Sequence, residues 1–169
     1  MAGYIVVRML HGALAGIDVV LNHDVLARLP HRAEAAMEEL LHSLREGVFA
    51  VLFAGLAWFE WHGALAWIVA ALLAAELAIA AVDVKLEVDI RVLPAPERIL
   101  HLLLFINLGA ILVLLGERLL AWRTMPTAFV AADHGWASWV LTGLAMAAFG
   151  WAVRDGCAAR RLATAQRGP

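Results

Sequence analysis

The chain is poor in charge and nearly devoid of cysteine. Only 17% of its 169 residues are Asp, Glu, Lys or Arg. Cys157 is the sole cysteine, which excludes an internal disulfide and a cysteine metal cluster. No basic tract of the kind that binds nucleic acid is present, and the formal net charge is −2. The opening run MAGYIVVRMLHGALAG lacks the basic region of a secretory signal, so it reads as a retained first helix. A nucleotide-binding loop, a serine or cysteine nucleophile constellation and a haem-attachment motif are missing too. With no repeats, low-complexity segments or flexible linkers, a single domain is expected over 1–169.

Apolar residues fill the space that charge leaves. They make up 63% of the chain, and mean hydropathy is +0.80, whereas soluble domains are roughly half apolar. They come in blocks, such as 64–82 and 99–116, that approach the ~20 residues needed to cross a bilayer. The expected fold is an all-α polytopic membrane helix bundle: four core helices and a fifth, C-terminal transmembrane helix. Proline, glycine and polar breaks place the helices at about 4–27, 33–60, 64–90, 97–121 and 136–153, with a basic tail over 154–169.

Lys and Arg give the orientation. Ten of the 13 lie on one side of a five-span topology: Arg28, Arg32, Arg45, Lys85, Arg91, Arg98, Arg154, Arg160, Arg161 and Arg167. Only Arg8, Arg118 and Arg123 fall toward the other, where Trp58, Trp61, Trp67, Trp122, Trp136 and Trp139 form an interfacial belt. The rule predicts a bacterial cytoplasmic-membrane protein with its N-terminus outside and its C-terminus in the cytoplasm.

Against this background AAVDVKLEVDIRVLPAPERILH, residues 80–101, is conspicuously polar. It shares the cytoplasmic side with His23, Asp24, His42 and Glu46. Helical spacing gathers these groups into stripes, because residues three, four, seven or eleven apart share a face. Glu76, Asp83 and Glu87 form one stripe. Glu38, His42 and Glu46 form a second, and Glu97 and His101 a third. His11, Asp18 and Asn22 repeat the first spacing on helix 1. Four helices can thus turn polar edges toward one interior.

Carboxylates in lipid cost several kcal/mol unless paired, protonated or bound to a cation. Metal ions, protons or the arginines Arg45, Arg91 and Arg98 can neutralise them. The sharpest reading takes His42, Glu46, Asp83, Glu87, Glu97 and His101 as metal ligands. Imidazole and carboxylate suit iron or manganese, with zinc also compatible. Glu76, deepest in its apolar run, becomes the catalytic candidate as a buried proton-handling group. Arg91 and Arg98 orient ligands or hold an anionic head group as cofactor-binding residues.

In inventory and helical placement these residues resemble the carboxylate-bridged di-iron and di-manganese bundles. Glu39-x-x-His42 fits their Glu-x-x-His signature, while Glu97 and His101 are one residue too far apart. The HxxxH and HxxHH boxes of membrane desaturases are missing. A second resemblance rests on ERILHLLLFINLG, preceded by RVLPAPER, with LARLPHR after helix 1. These look like the signature of a family of small bacterial polytopic membrane proteins, over most of 15–155. That resemblance implies the fold and no activity. It also implies His-His-Glu where this chain has Asn22-His23-Asp24, which makes helix 1 a weaker ligand donor here.

The expected function is therefore a membrane metalloprotein, an oxidoreductase acting on a lipid-like or quinone-like substrate. The alternative is a non-enzymatic protein with a proton- or ion-linked acidic site, or a partner subunit whose polar cluster is structural. Plainer readings attach to other residues. Glu34, Glu38, Glu39 and Arg45 read as the wet face of helix 2, and Lys85 and Asp89 as solvated or ion-paired. His31, His62 and His134 read as solvent-facing turn residues. Asn107 is expected to bond between helices and Gly109 to let them approach.

Overall fold

A computed structural model of the chain describes residues 2–90 and 92–167, with only the backbone of Arg167. Among these residues, five helices are long and apolar enough to cross a membrane. The all-α bundle is as expected.

Helix α1 (Gly3–Asp18) runs without a break into a π-helical segment, Val19–Ala27. Arg28 ends it in the left-handed conformation, φ 53°, a common way to stop a helix. Two single 3-10 turns, Leu29–His31 and Ala33–Ala35, lead to α2 (Ala36–Trp58). Helix α3 spans Leu65–Ile90 and α4 spans Ala95–Trp122. Pro96 sits in the first turn of α4, where a missing N–H costs nothing.

The final helix, α5 (Trp136–Arg167), passes the expected end at Val153 by fourteen residues. The 154–167 segment is not a loose tail because it has partners. Arg154 Nη1 donates to Asp24 at 2.5 Å, Arg161 Nη2 to the carbonyl of Pro30 at 2.5 Å, and Gln166 to the carbonyl of Ala33. Higher up, α5 lies along α2. Ser43 Oγ donates to the carbonyl of Ala152 and Ser138 Oγ to that of Ala57, both at 2.7 Å. Small residues and hydroxyls are the usual means of bringing membrane helices together.

A feature not legible in the sequence closes the opposite end. Strands β1 (Phe59–Trp61) and β2 (Phe129–Ala131) pair antiparallel, with Glu60 opposite Val130. This ribbon ties the α2–α3 connection to the α4–α5 connection. It needs Gly63 at φ +58°, where an added Cβ would lie 2.6 Å from Thr127 Cα. It also covers turn residues expected to face solvent. His62 is buried and within 2.9 Å of Glu60 Oε2. His134 is half-buried against Tyr4, and burial with the nearby Arg8 guanidinium holds its pKa below the ordinary value. His31 is exposed, as expected.

The bundle's interior changes character along its length. Toward the ribbon, Tyr4, Ile5, Phe53, Leu56, Val69, Ile111, Leu115 and Leu141 form an apolar core. Toward the other end the interior is ionic. Helix α3 shows the switch on one stripe: Ala66, Val69 and Leu73 are followed by Glu76, Ala80, Asp83 and Glu87, all buried. Its outward face keeps Leu77, Val82, Val84 and Val88 exposed. At this end the helix is inside-out relative to a soluble one, with lipid-facing valines and buried acids.

Asn107 bonds between helices as expected, its Nδ2 donating to the carbonyl of Val7 at 2.8 Å. Gly109 does not serve close approach, since a Cβ there would meet nothing within 4 Å. Gly12 does, with its Cβ position 2.7 Å from Leu144. Lys85 and Asp89 form an exposed ion pair at 2.8 Å.

Candidate metal centre

Two groups of ligand-type atoms meet where the ends of α1, α2, α3 and α4 converge. His23, Glu87, Glu97 and His101 each bring one atom within 4.8 Å of the others. Glu38, His42 and Glu87 do the same. Glu87 belongs to both. Every member but the half-buried His101 is buried.

Each helix delivers its ligands for a local reason. The α3 stripe carries Glu87 inward in register with Glu76 and Asp83. On α4, Glu97 lies in the first acidic turn, which the helix dipole favours, and His101 follows one turn later. On α2, Glu38 and His42 are four residues apart and both face inward. Helix α1 needs its π-helical segment. In an α-helix, residues five apart point about 140° away from each other. Bonding of the i→i+5 type realigns them, so Asp18 and His23 share the inner face. His23 Nε2 is then 3.6 Å from Asp18 Oδ2 and 3.7 Å from Glu97 Oε1.

Carboxylates stand behind the imidazoles. His101 Nε2 is 3.1 Å from Asp18 Oδ2, while its Nδ1 is 3.4 Å from Glu87 Oε2. Asp18 is itself held by Asn22, whose Nδ2 donates to Oδ1 at 2.6 Å. His42 Nε2 lies 3.3 Å from Asp83 Oδ2. Its Nδ1 is buried and has no hydrogen bond among the described residues. In each of these pairs one ring nitrogen meets an aspartate and the other is turned away from it. Metal-binding histidines are commonly oriented in this way.

The residues expected as ligands from the sequence therefore divide. His42, Glu87, Glu97 and His101 lie in the two groups. Asp83 stands beside them, pairing with His42 and, at 3.0 Å, with Arg45 Nη1. Glu46 lies farther up α2 and lines a cavity, both its oxygens buried and unbonded among the described residues. Glu76 is fully buried, with Oε1 accepting from Arg45 Nε at 3.1 Å. Arg98 is exposed on α4, and Arg91 lies outside the described residues.

Sequence reasoning missed His23 and Glu38. His23 falls off the α-helical face of Asp18, and only the π-helical segment brings it back. In the sequence Glu38 reads as part of a wet face together with Glu39 and Arg45. Glu38 and Glu39 are buried instead, and Arg45 bridges Glu76 and Asp83. The signal for Glu38 was the Glu38–His42–Glu46 spacing.

A cavity of about 640 Å³ adjoins this cluster. His23 and His42 lie at its polar end, and Phe49, Phe53, Leu144 and Trp151 form apolar walls. Ile17, Val20 and Leu21, all exposed, edge its mouth between α1 and α5.

Comparison with protein-family models, with curated proteins and with solved structures gives no match.

Proposed function

We propose that the cluster is a dinuclear metal centre in a membrane oxidoreductase, and that Glu87 bridges the two ions. His23, Glu97 and His101 would hold one ion, and Glu38 and His42 the other. The observation that carries this reading is the membership of Glu87 in both ligand groups. A mix of three imidazoles and three carboxylates suits iron or manganese, with zinc compatible. Such a pair supplies redox-active or Lewis-acidic charge beside a bound substrate.

The chain's own residues have separate tasks. Asp18 and Asp83 fix the rings of His101 and His42 by accepting from Nε2, which leaves Nδ1 for the ion. Arg45 neutralises Asp83 and Glu76. Glu76 keeps Oε2 unbonded among the described residues and handles protons from beside the centre. The apolar cavity admits a lipid-like or quinone-like substrate from the bilayer. The polar end faces the cytoplasm, since most of the lysines and arginines gather there.

A second reading, a metal-free proton- or ion-linked network, is favoured by Arg45, which pairs with two of the buried acids. Metal analysis of the purified protein separates the two. Near-stoichiometric iron, manganese or zinc that is lost in a His42→Ala/His101→Ala variant supports the centre. A wild type without metal after reconstitution, and more stable than the variant, supports the network.

A further inference from the structure

The cavity is lined by hydrogen-bond donors that have no acceptor among the described residues. Arg45 directs Nε to Glu76 and Nη1 to Asp83. Its Nη2 has no hydrogen bond among the described residues, and the side chain is 19% exposed. His11 provides a second donor. Asn107 Nδ2 donates to the carbonyl of Val7 at 2.8 Å, which identifies that atom as the amide nitrogen. The same nitrogen lies 3.2 Å from His11 Nδ1, so Nδ1 accepts. A ring that accepts at Nδ1 carries its proton on Nε2, and Nε2 has no partner among the described residues. His11 and Arg45 both line the cavity.

Both donors lie in the cavity lining with Phe49. The His11 ring packs on Phe49 with centroids 4.4 Å apart, and Arg45 is one turn before Phe49 on α2. Beyond them the walls are apolar, and the mouth is edged by exposed aliphatic residues. The volume lies within the ~300–1,000 Å³ typical of small-molecule sites.

From this geometry we infer that the cavity binds the head of a single-chain amphiphile with a neutral carbonyl group, whose oxygen accepts from Arg45 Nη2 and His11 Nε2. A cationic amine offers no acceptor to either donor. An anionic head is disfavoured because Glu46 and Asp18 also line the cavity, and Glu76 and Asp83 already offset the Arg45 charge. A quinone with an alkyl tail meets the requirement, and so does a monoacyl ester. The tail leaves past Leu144 and Trp151 into lipid. The inference deepens the proposed function, and it rests on the metal-centre reading for what becomes of the bound molecule.

The test uses full-length protein in nanodiscs, stripped of metal with a chelator. Binding of a decyl-substituted benzoquinone is read from quenching of tryptophan fluorescence. Decanoyl glycerol, decyl phosphate and decylamine serve as competitors. Saturable binding is expected, weakened at least about tenfold by His11→Phe or Arg45→Met, as for loss of a hydrogen bond to a charged or polarised donor. Ala147→Phe, which fills the cavity away from the ionic cluster, should abolish it. Competition by decanoyl glycerol would extend the ligand class to neutral esters, and its failure would narrow the class to quinones. Equal affinity in wild type, His11→Phe and Ala147→Phe would overturn the inference, as would stronger competition by the phosphate or the amine. Metal content is measured separately. Protein that binds the quinone but never holds metal keeps this inference and loses the metal centre; the converse result does the reverse.

Discussion

The imidazoles of His23 and His42 lie face to face, with centroids 4.2 Å apart and planes 7° from parallel. One ring comes from the π-helical end of α1 and the other from α2. Each belongs to a different ligand group, and the groups share Glu87. The stack and the shared carboxylate set the two groups side by side, as the half-sites of the proposed centre.

Removing ligands from one half-site should leave the other. His101→Ala with Glu97→Gln is expected to reduce bound metal from about two ions per chain to about one, and so is His42→Ala with Glu38→Gln. A shared ligand behaves differently, so Glu87→Ala alone should lose more metal than either pair. Elemental analysis at matched protein concentration reads all three. Equal losses from every variant would argue against two half-sites.

In the proposed centre Asp18 stands behind His101 and outside both ligand groups. Asp18→Asn should weaken metal affinity by about 10–100-fold while leaving the saturating stoichiometry unchanged, as for other carboxylates behind ligating histidines. Competition with a chelator of known affinity measures the shift. Loss of a whole ion at saturation would instead make Asp18 a ligand.

Arg45 bridges two buried carboxylates. Arg45→Met strands both, and should destabilise the protein by about 3 kcal/mol, the scale for breaking a buried ion pair from one side. Adding Glu76→Gln should recover part of this. Unfolding in mixed micelles compares the two variants. A neutral Arg45→Met variant would mean that the pairing is peripheral.

The charge asymmetry predicts the sidedness of α5. In a Cys157→Ser background, a cysteine placed at exposed Thr164 should react with a membrane-impermeant maleimide only after the membrane is opened. Labelling of intact cells would invert the topology and put the polar end outside.

The legible part of the sequence was whatever depended on length, breaks and regular spacing. Long apolar blocks bounded by Pro30, Pro94 and Pro126 mark five helices, and the i, i+7, i+11 spacing of Glu76, Asp83 and Glu87 marks the inner face of α3. The illegible part depended on departures from regular geometry or on partners distant in sequence. His23 reaches the cluster only because the helix changes its hydrogen-bond pattern after Asp18. Glu38 looks like a surface acid in a run of surface acids until α3 brings Glu87 against it. The 154–167 segment is basic enough to read as a tail, yet Asp24 and the carbonyls of Pro30 and Ala33 hold it as helix. The β1–β2 ribbon joins residues some seventy positions apart, and neither strand is long enough to show a period.

X-ray absorption at the metal edge of the reconstituted protein tests the central claim most directly. A pair of ions sharing Glu87 predicts nitrogen and oxygen neighbours plus a metal–metal vector at about 3.5–4 Å, with the vector lost in Glu87→Ala. Light-atom neighbours alone at full loading, or a wild-type protein that takes up no metal, would contradict it.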